Sequence, residues 1–188
     1  AGTGAFLLLH DGGGSGAQTT DTAQPAAAPA PATGDSVGGA TVSSDGSAAE
    51  VDSFLKDVER LIKKAGHGRN GIGTATAGYR GGYMSRSRAA AMINGVIDNR
   101  TTVKQQLSSL SVPDNYDARA VRSAFVKAMQ HSIDADYHYL DWVNGSGSEN
   151  AAYPDNGLAA TWKAKFVHLY NRLARAHGLR SDWVVKDI

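Results

Sequence analysis

Ala118-Arg119-Ala120-Val121-Arg122-Ser123-Ala124-Phe125-Val126-Lys127-Ala128-Met129-Gln130-His131-Ser132-Ile133-Asp134-Ala135 is the stretch whose reading decides the fold. Ala118, Val121, Phe125, Ala128, Ser132 and Ala135 recur at steps of three and four, and Tyr139 and Trp142 extend the series. This spacing lays one apolar stripe along a helix. Nothing from residue 49 onward alternates as a half-buried strand would.

The same period recurs on both sides. Ala89, Met92, Val96, Val103, Leu107 and Leu110 mark a helix that starts near Ser85, an N-cap residue, and stops at Val112-Pro113-Asp114. Arg100 occupies a stripe position in it. Earlier still, Val51, Leu55, Val58, Ile62, Ala65, Ile72 and Tyr79 mark a first helix from about Ala49. Gly66, Gly68, Gly71, Gly73 and Gly78 weaken its second half by about 1 kcal/mol each relative to Ala. The reading is that this helix continues to Gly81-Gly82, its small residues giving a neighbour room for close approach or the helix room to kink. Downstream, Asn144-Gly145-Ser146-Gly147-Ser148 ends the third helix, and a loop is expected through Pro154-Asp155-Asn156-Gly157. Leu158, Trp162, Phe166, Leu169, Leu173 and Ala176 then mark a fourth helix with Gly178 just past its end. The tail Trp183-Val184-Val185 is apolar enough to fold back. The expected fold is all-α: an up-down-up-down antiparallel four-helix bundle over residues 49–188, behind a disordered N-terminal linker.

The linker stands out by composition. Residues 1–48 hold 10 of the 22 Gly, 3 of the 5 Pro and four Asp, but no Lys or Arg. All 19 basic and 14 of the 18 acidic residues therefore lie in 49–188, which carries +5. Residues 11–48, rich in Gly, Ala, Pro and Ser, cannot bury enough side chain to offset ordering entropy and read as a flexible tether. Residues 1–10 end in Phe6-Leu7-Leu8-Leu9-His10 and begin on Ala rather than Met, as expected of the outer end of a membrane anchor or signal segment. No run approaches the roughly 18 apolar residues of a complete span. The absence of Cys excludes disulfides, thiolate zinc sites and thiol catalysis.

Polar groups on the stripes are the candidate site. Counting helix heights from loop midpoints places Arg69, Gly95, His131 and Tyr170 at one level, and Arg100 near Lys64, Val126 and Arg175. A buried guanidinium needs a partner, and Asp134 and Asp136 are the acids nearest Arg69 on this map. Arg69, Arg100, His131, Asp134 and Tyr170 are accordingly expected to form a polar layer, fixing helix register or binding a ligand. A second constellation is metal-like. His131, Asp134 and His138 share one helix face at i, i+3, i+7, and His168 is the expected ligand from the fourth helix. A solvated His/Asp face explains the same pattern, and the Glu-x-x-His pairs of carboxylate-bridged metal bundles do not occur.

Other motifs carry less. Gly66-x-Gly68-x-x-Gly71 spells a dinucleotide pattern but follows no strand. Arg80, Arg86, Arg88, Arg100 and Lys104, with Tyr79 and Tyr83, could line a basic side of the second helix; at +5 a solvated face is the default, and anionic headgroups suit a tethered domain better than nucleic acid. No activated nucleophile or paired-carboxylate site is recognisable.

Asn99-Arg100, Leu107-x-x-Leu110-x-Val112-Pro113-Asp114 and His131-Ser132-Ile133-x-Ala135-Asp136 with Tyr139 and Trp142 resemble, in spacing, a group of uncharacterised membrane-anchored helical proteins of high-GC actinobacteria. The likeness covers roughly residues 50–145 and implies a helical domain held to a membrane. The combined expectation is a non-catalytic extracytoplasmic binding or scaffolding domain without cofactor, joined to the membrane by an upstream anchor. Its partner would be a protein or another cell-envelope component rather than nucleic acid. The alternative is a metal-binding bundle.

Overall fold

The structure, a computed structural model, describes residues 47–188. The anchor segment 1–10 and nearly all of the linker 11–48 lie outside the described residues. Those that are described form four helices, α1 (Ala48–Arg80), α2 (Arg86–Ser109), α3 (Tyr116–Asn144) and α4 (Tyr153–Ala176), with single 3-10 turns at Glu149–Ala152 and Val185–Asp187. No strand occurs among them.

Local chemistry sets most of the ends. Ser47 and Glu50 form a reciprocal capping box that starts α1, so helix begins at the last residue assigned to the linker. Ser85 caps α2 through the Arg88 N–H, and Asn115 caps α3 through the Ala118 N–H. α1 runs unbroken through its glycines to Arg80. Packing accounts for two of them. A methyl group at Gly71 would lie 2.7 Å from a Val96 methyl on α2, and one at Gly66 would lie 2.8 Å from the Asp187 carbonyl of the C-terminal tail. Both neighbours occupy space that only a glycine leaves open.

The fourth helix corrects the sequence reading. α4 begins at Tyr153, with Pro154 and Asp155 in its first turn rather than in a loop. Proline is well placed there because its missing N–H would have had no helical partner. Leu158, assigned to the apolar stripe, is 45% exposed.

Cross-helix contacts fix the arrangement. Lys64 meets Gln106, and Gly78 approaches Met84, so numbers fall along α2 as they rise along α1. Phe125 stacks on Phe166 and Arg172 pairs with Asp117, so α3 and α4 also run in opposite directions. Val51, Leu55, Val58, Ile62, Val103, Leu107, Val121, Phe125 and Phe166 form the main core. Ala75, Ala89, Ile93, Ile97, Ile133 and Val143 form a second cluster toward the other end. The tail folds back as expected. Trp183 and Ile188 are buried in the main core, and Asn171 on α4 bonds both the N–H and the carbonyl of Trp183.

Candidate functional site

All four helices and the tail contribute to one polar cavity of ≈ 240 Å³. Ile72 and Gly73 of α1 lie on one side, and Asn156, Ala159, Ala160 and Lys163 of α4 on the other. Arg100 of α2 meets Ser132 and Asp136 of α3 within it. Gly73, Asn156 and Ala160 are exposed and form the mouth; Arg100, Ser132 and Asp136 are buried and form the floor.

The floor is an ion pair. Arg100 Nη1 donates to Asp136 Oδ2 at 2.5 Å and to the Ser132 carbonyl at 3.2 Å. Burial pushes the Asp136 carboxyl up to about 6, against the opposing pull of Arg100 and, more weakly, of Lys163. Lys163 Nζ donates to the Ile188 carbonyl at 3.0 Å, tying the tail to this side of the cavity. Ser132 Oγ is buried with no hydrogen-bond partner, and Ser132 lines this cavity, which has room for several waters or a small ligand. Arg100 and Lys163 are the cations among the lining residues, and Asp136 is the carboxylate.

Among the described side chains, the expected polar layer is divided between separate places. Tyr170 donates to the Leu55 carbonyl at 3.3 Å inside the main core, and burial, reinforced by Glu59, raises its phenol to about 12. Asp134 accepts from Gln130 at 2.7 Å, and His131 Nδ1 lies 3.2 Å from Asp155 Oδ1. The Arg69 side chain lies outside what is described. Arg100 is buried and ion-paired, but with Asp136 rather than beside Lys64, Val126 and Arg175. The physical reason is side-chain lean. Helical side chains tilt toward their own N-terminus. On antiparallel α2 and α3, a long Arg100 and Asp136 tilt toward each other and meet well away from the residue opposite Arg100 on a height count. Asp136 was legible as an acid on the inner side of α3, four residues from stripe residue Ser132, and that spacing was its available signal.

The metal-like face is reorganised as well. His131, Asp134 and His138 do share a face, but their partner from α4 is Asp155. His138 Nε2 lies 3.5 Å from Asp155 Oδ2. His168 is exposed and thirteen residues further along α4, roughly 20 Å away by helical rise. The earlier start of α4 causes the change, since five extra residues shift its register by more than one turn. A proline followed by an acidic residue is a helix-start signal that could have placed Asp155 correctly.

The basic side of α2 is largely engaged. Arg80 pairs with Glu149, Lys104 donates to Gln130, and the Arg86 guanidinium packs over Gly145. Tyr79 makes an edge contact with Trp142, while Tyr83 is exposed. No helix among the described residues is long and apolar enough to cross a membrane. The sequence matches no family model, and neither a curated protein nor a solved structure is significantly similar to it.

Proposed function

We propose that this domain is a non-catalytic binding module that takes a small anionic group, a carboxylate or phosphate, into the cavity between α1 and α4. The observation that carries the reading is the buried Arg100 guanidinium at the floor of a cavity that Ser132, whose buried hydroxyl has no partner, also lines. A bound anion would accept from that hydroxyl and from guanidinium N–H groups beyond the Nη1 that serves Asp136. The cavity is smaller than the ~300–1,000 Å³ of sites for drug-sized ligands, which favours a small molecule or one group of a larger one. Ser132 has no hydrogen-bonded base to activate it, which supports binding over catalysis.

The reading includes placement outside the cytoplasmic membrane on the N-terminal tether. It rests on the apolar stretch Phe6–Leu9, the Ala/Pro/Gly composition that follows, and the spacing resemblance of residues 50–145. An anionic cell-envelope component would fit both placement and pocket. Protease accessibility of the domain in intact cells tests the placement.

Calorimetric titration with inorganic phosphate and with small mono- and dicarboxylates tests the binding. Saturable binding is expected for at least one of them, weakened about tenfold or more by Ser132→Ala and by Ala160→Leu, which fills the mouth. Binding that is absent, or indifferent to both substitutions, refutes the reading.

A further inference from the structure

The outer seam between α3 and the first turn of α4 carries a second constellation, separate from the cavity. His131, Asp134 and Asp155 each bring one ligand-type atom within 4.8 Å of the other two. All three are half-buried and reachable from solvent. His131 Nδ1 and Asp155 Oδ1 stand 3.2 Å apart. Two ligand atoms on one metal ion with bonds of about 2.1 Å are separated by roughly 3.0–3.4 Å in octahedral or tetrahedral geometry. That pair is therefore already at ligand spacing, and Asp134 needs only a small rotation to complete a three-ligand face.

A second layer of contacts orients these groups. The Gln130 amide donates to Asp134 Oδ1 at 2.7 Å and is itself held by the Lys104 ammonium. His138 Nε2 approaches Asp155 Oδ2 at 3.5 Å, on the oxygen turned away from His131. Asp134 and Asp155 thus each have one oxygen engaged by a residue outside the trio, as outer partners engage metal-binding carboxylates. Asp134 and Asp155 otherwise face each other across less than 4.8 Å, and a cation between them removes that repulsion.

We propose that His131, Asp134 and Asp155 hold a divalent transition-metal ion, with His138 and Gln130 as positioning residues. One imidazole and two carboxylates favour Zn²⁺, Mn²⁺ or Fe²⁺ over Ca²⁺ or Mg²⁺. Three protein ligands leave further positions open to water or an incoming ligand.

The test is calorimetric titration of the full chain, purified without a His-tag, with Zn²⁺ alone, paired with electron paramagnetic resonance of added Mn²⁺. One equivalent of Zn²⁺ is expected to bind, and bound Mn²⁺ is expected to show nitrogen coupling from one imidazole. Asp155→Asn and His131→Ala should each weaken Zn²⁺ binding at least tenfold, with helix content and metal-free melting temperature unchanged. His138→Gln should weaken it about 10- to 100-fold, as loss of an outer partner does. His168→Ala should have no effect. Absence of saturable binding, or saturable binding that persists undiminished in Asp155→Asn, overturns the proposal. Asp134→Asn gives the same reading should either of the first two variants lose helix content.

Discussion

Arg100 and Asp136 are 36 residues apart in the chain and form an ion pair with side chains only 9% and 2% exposed. They join α2 to α3 at the floor of a cavity reached from between α1 and α4. Such a pair gains Coulomb energy at close range but loses hydration for both ions, so its net contribution depends on keeping both partners.

Arg100→Met is therefore expected to destabilise the domain by about 3 kcal/mol at pH 7, because it strands a buried carboxylate. Lys163, which also favours the charged form of Asp136, keeps the cost at the lower end of the range for broken buried pairs. The double variant Arg100→Met/Asp136→Leu should recover most of that loss or exceed the parent. Urea denaturation of the parent, Arg100→Met and the double variant measures this, and a double variant no more stable than Arg100→Met would contradict it.

Asp136 also predicts a pH dependence. Its carboxyl titrates near 6 in the folded chain against 3.8 as the ordinary value. Below pH about 4 both states hold the proton. Between pH about 4 and 6 the folded state keeps a proton that the unfolded state has released, so stability falls as pH rises through this window and levels off above it. The full span corresponds to roughly 3 kcal/mol. Asp136→Asn should remove this slope, and denaturation midpoints compared from pH 4 to pH 8 would show whether it does.

Two glycines on neighbouring helices should respond oppositely to alanine. Gly95 lies inside α2, exposed, with nothing within 4 Å of an added methyl, so Gly95→Ala should raise stability by about 1 kcal/mol. At Gly66 the methyl would meet the Asp187 carbonyl at 2.8 Å. There the gain in helix propensity is outweighed by displacing a tail that buries Trp183 and Ile188, and a net loss of about 1 kcal/mol is expected. Thermal melts of the two variants should shift in opposite directions.

The tail itself should behave as part of the core. Trp183 is buried, lies under the Arg180 guanidinium at 4.1 Å, and is held by Asn171. Trp183→Ala should cost about 3 kcal/mol, near the low end for large aromatic truncations because its indole N–H has no partner to lose. Chemical denaturation checks the magnitude, and a loss under 1 kcal/mol would mean the tail is only loosely attached.

The apolar period alone identified the four helices. Val51, Val96, Phe125 and Phe166, one from each stripe, are all buried. Ser85 and the turn around Asn144 and Gly145 were likewise readable, because capping and chain reversal depend on residues adjacent in sequence. The return of the tail followed from its apolar composition. The start of α4 was misplaced because glycine, asparagine and aspartate after a proline read as a turn, while the preceding 3-10 turn and the contacts of the first helical residues made that segment helix.

What the residues could not disclose was which polar groups meet. That Arg100 needs an acid follows from its place on an apolar stripe, but the choice of Asp136 depends on the tilt of two side chains across an antiparallel pair. That His131 and His138 share a face follows from helical spacing, but Asp155 reaches them only because α4 begins at Tyr153. Burial is an average over many weak, non-directional contacts, so the pattern along the chain records it. An ion pair or ligand set depends on a few directional contacts of a few ångströms, and an error of one helical turn, ~5.4 Å, exchanges one partner for another.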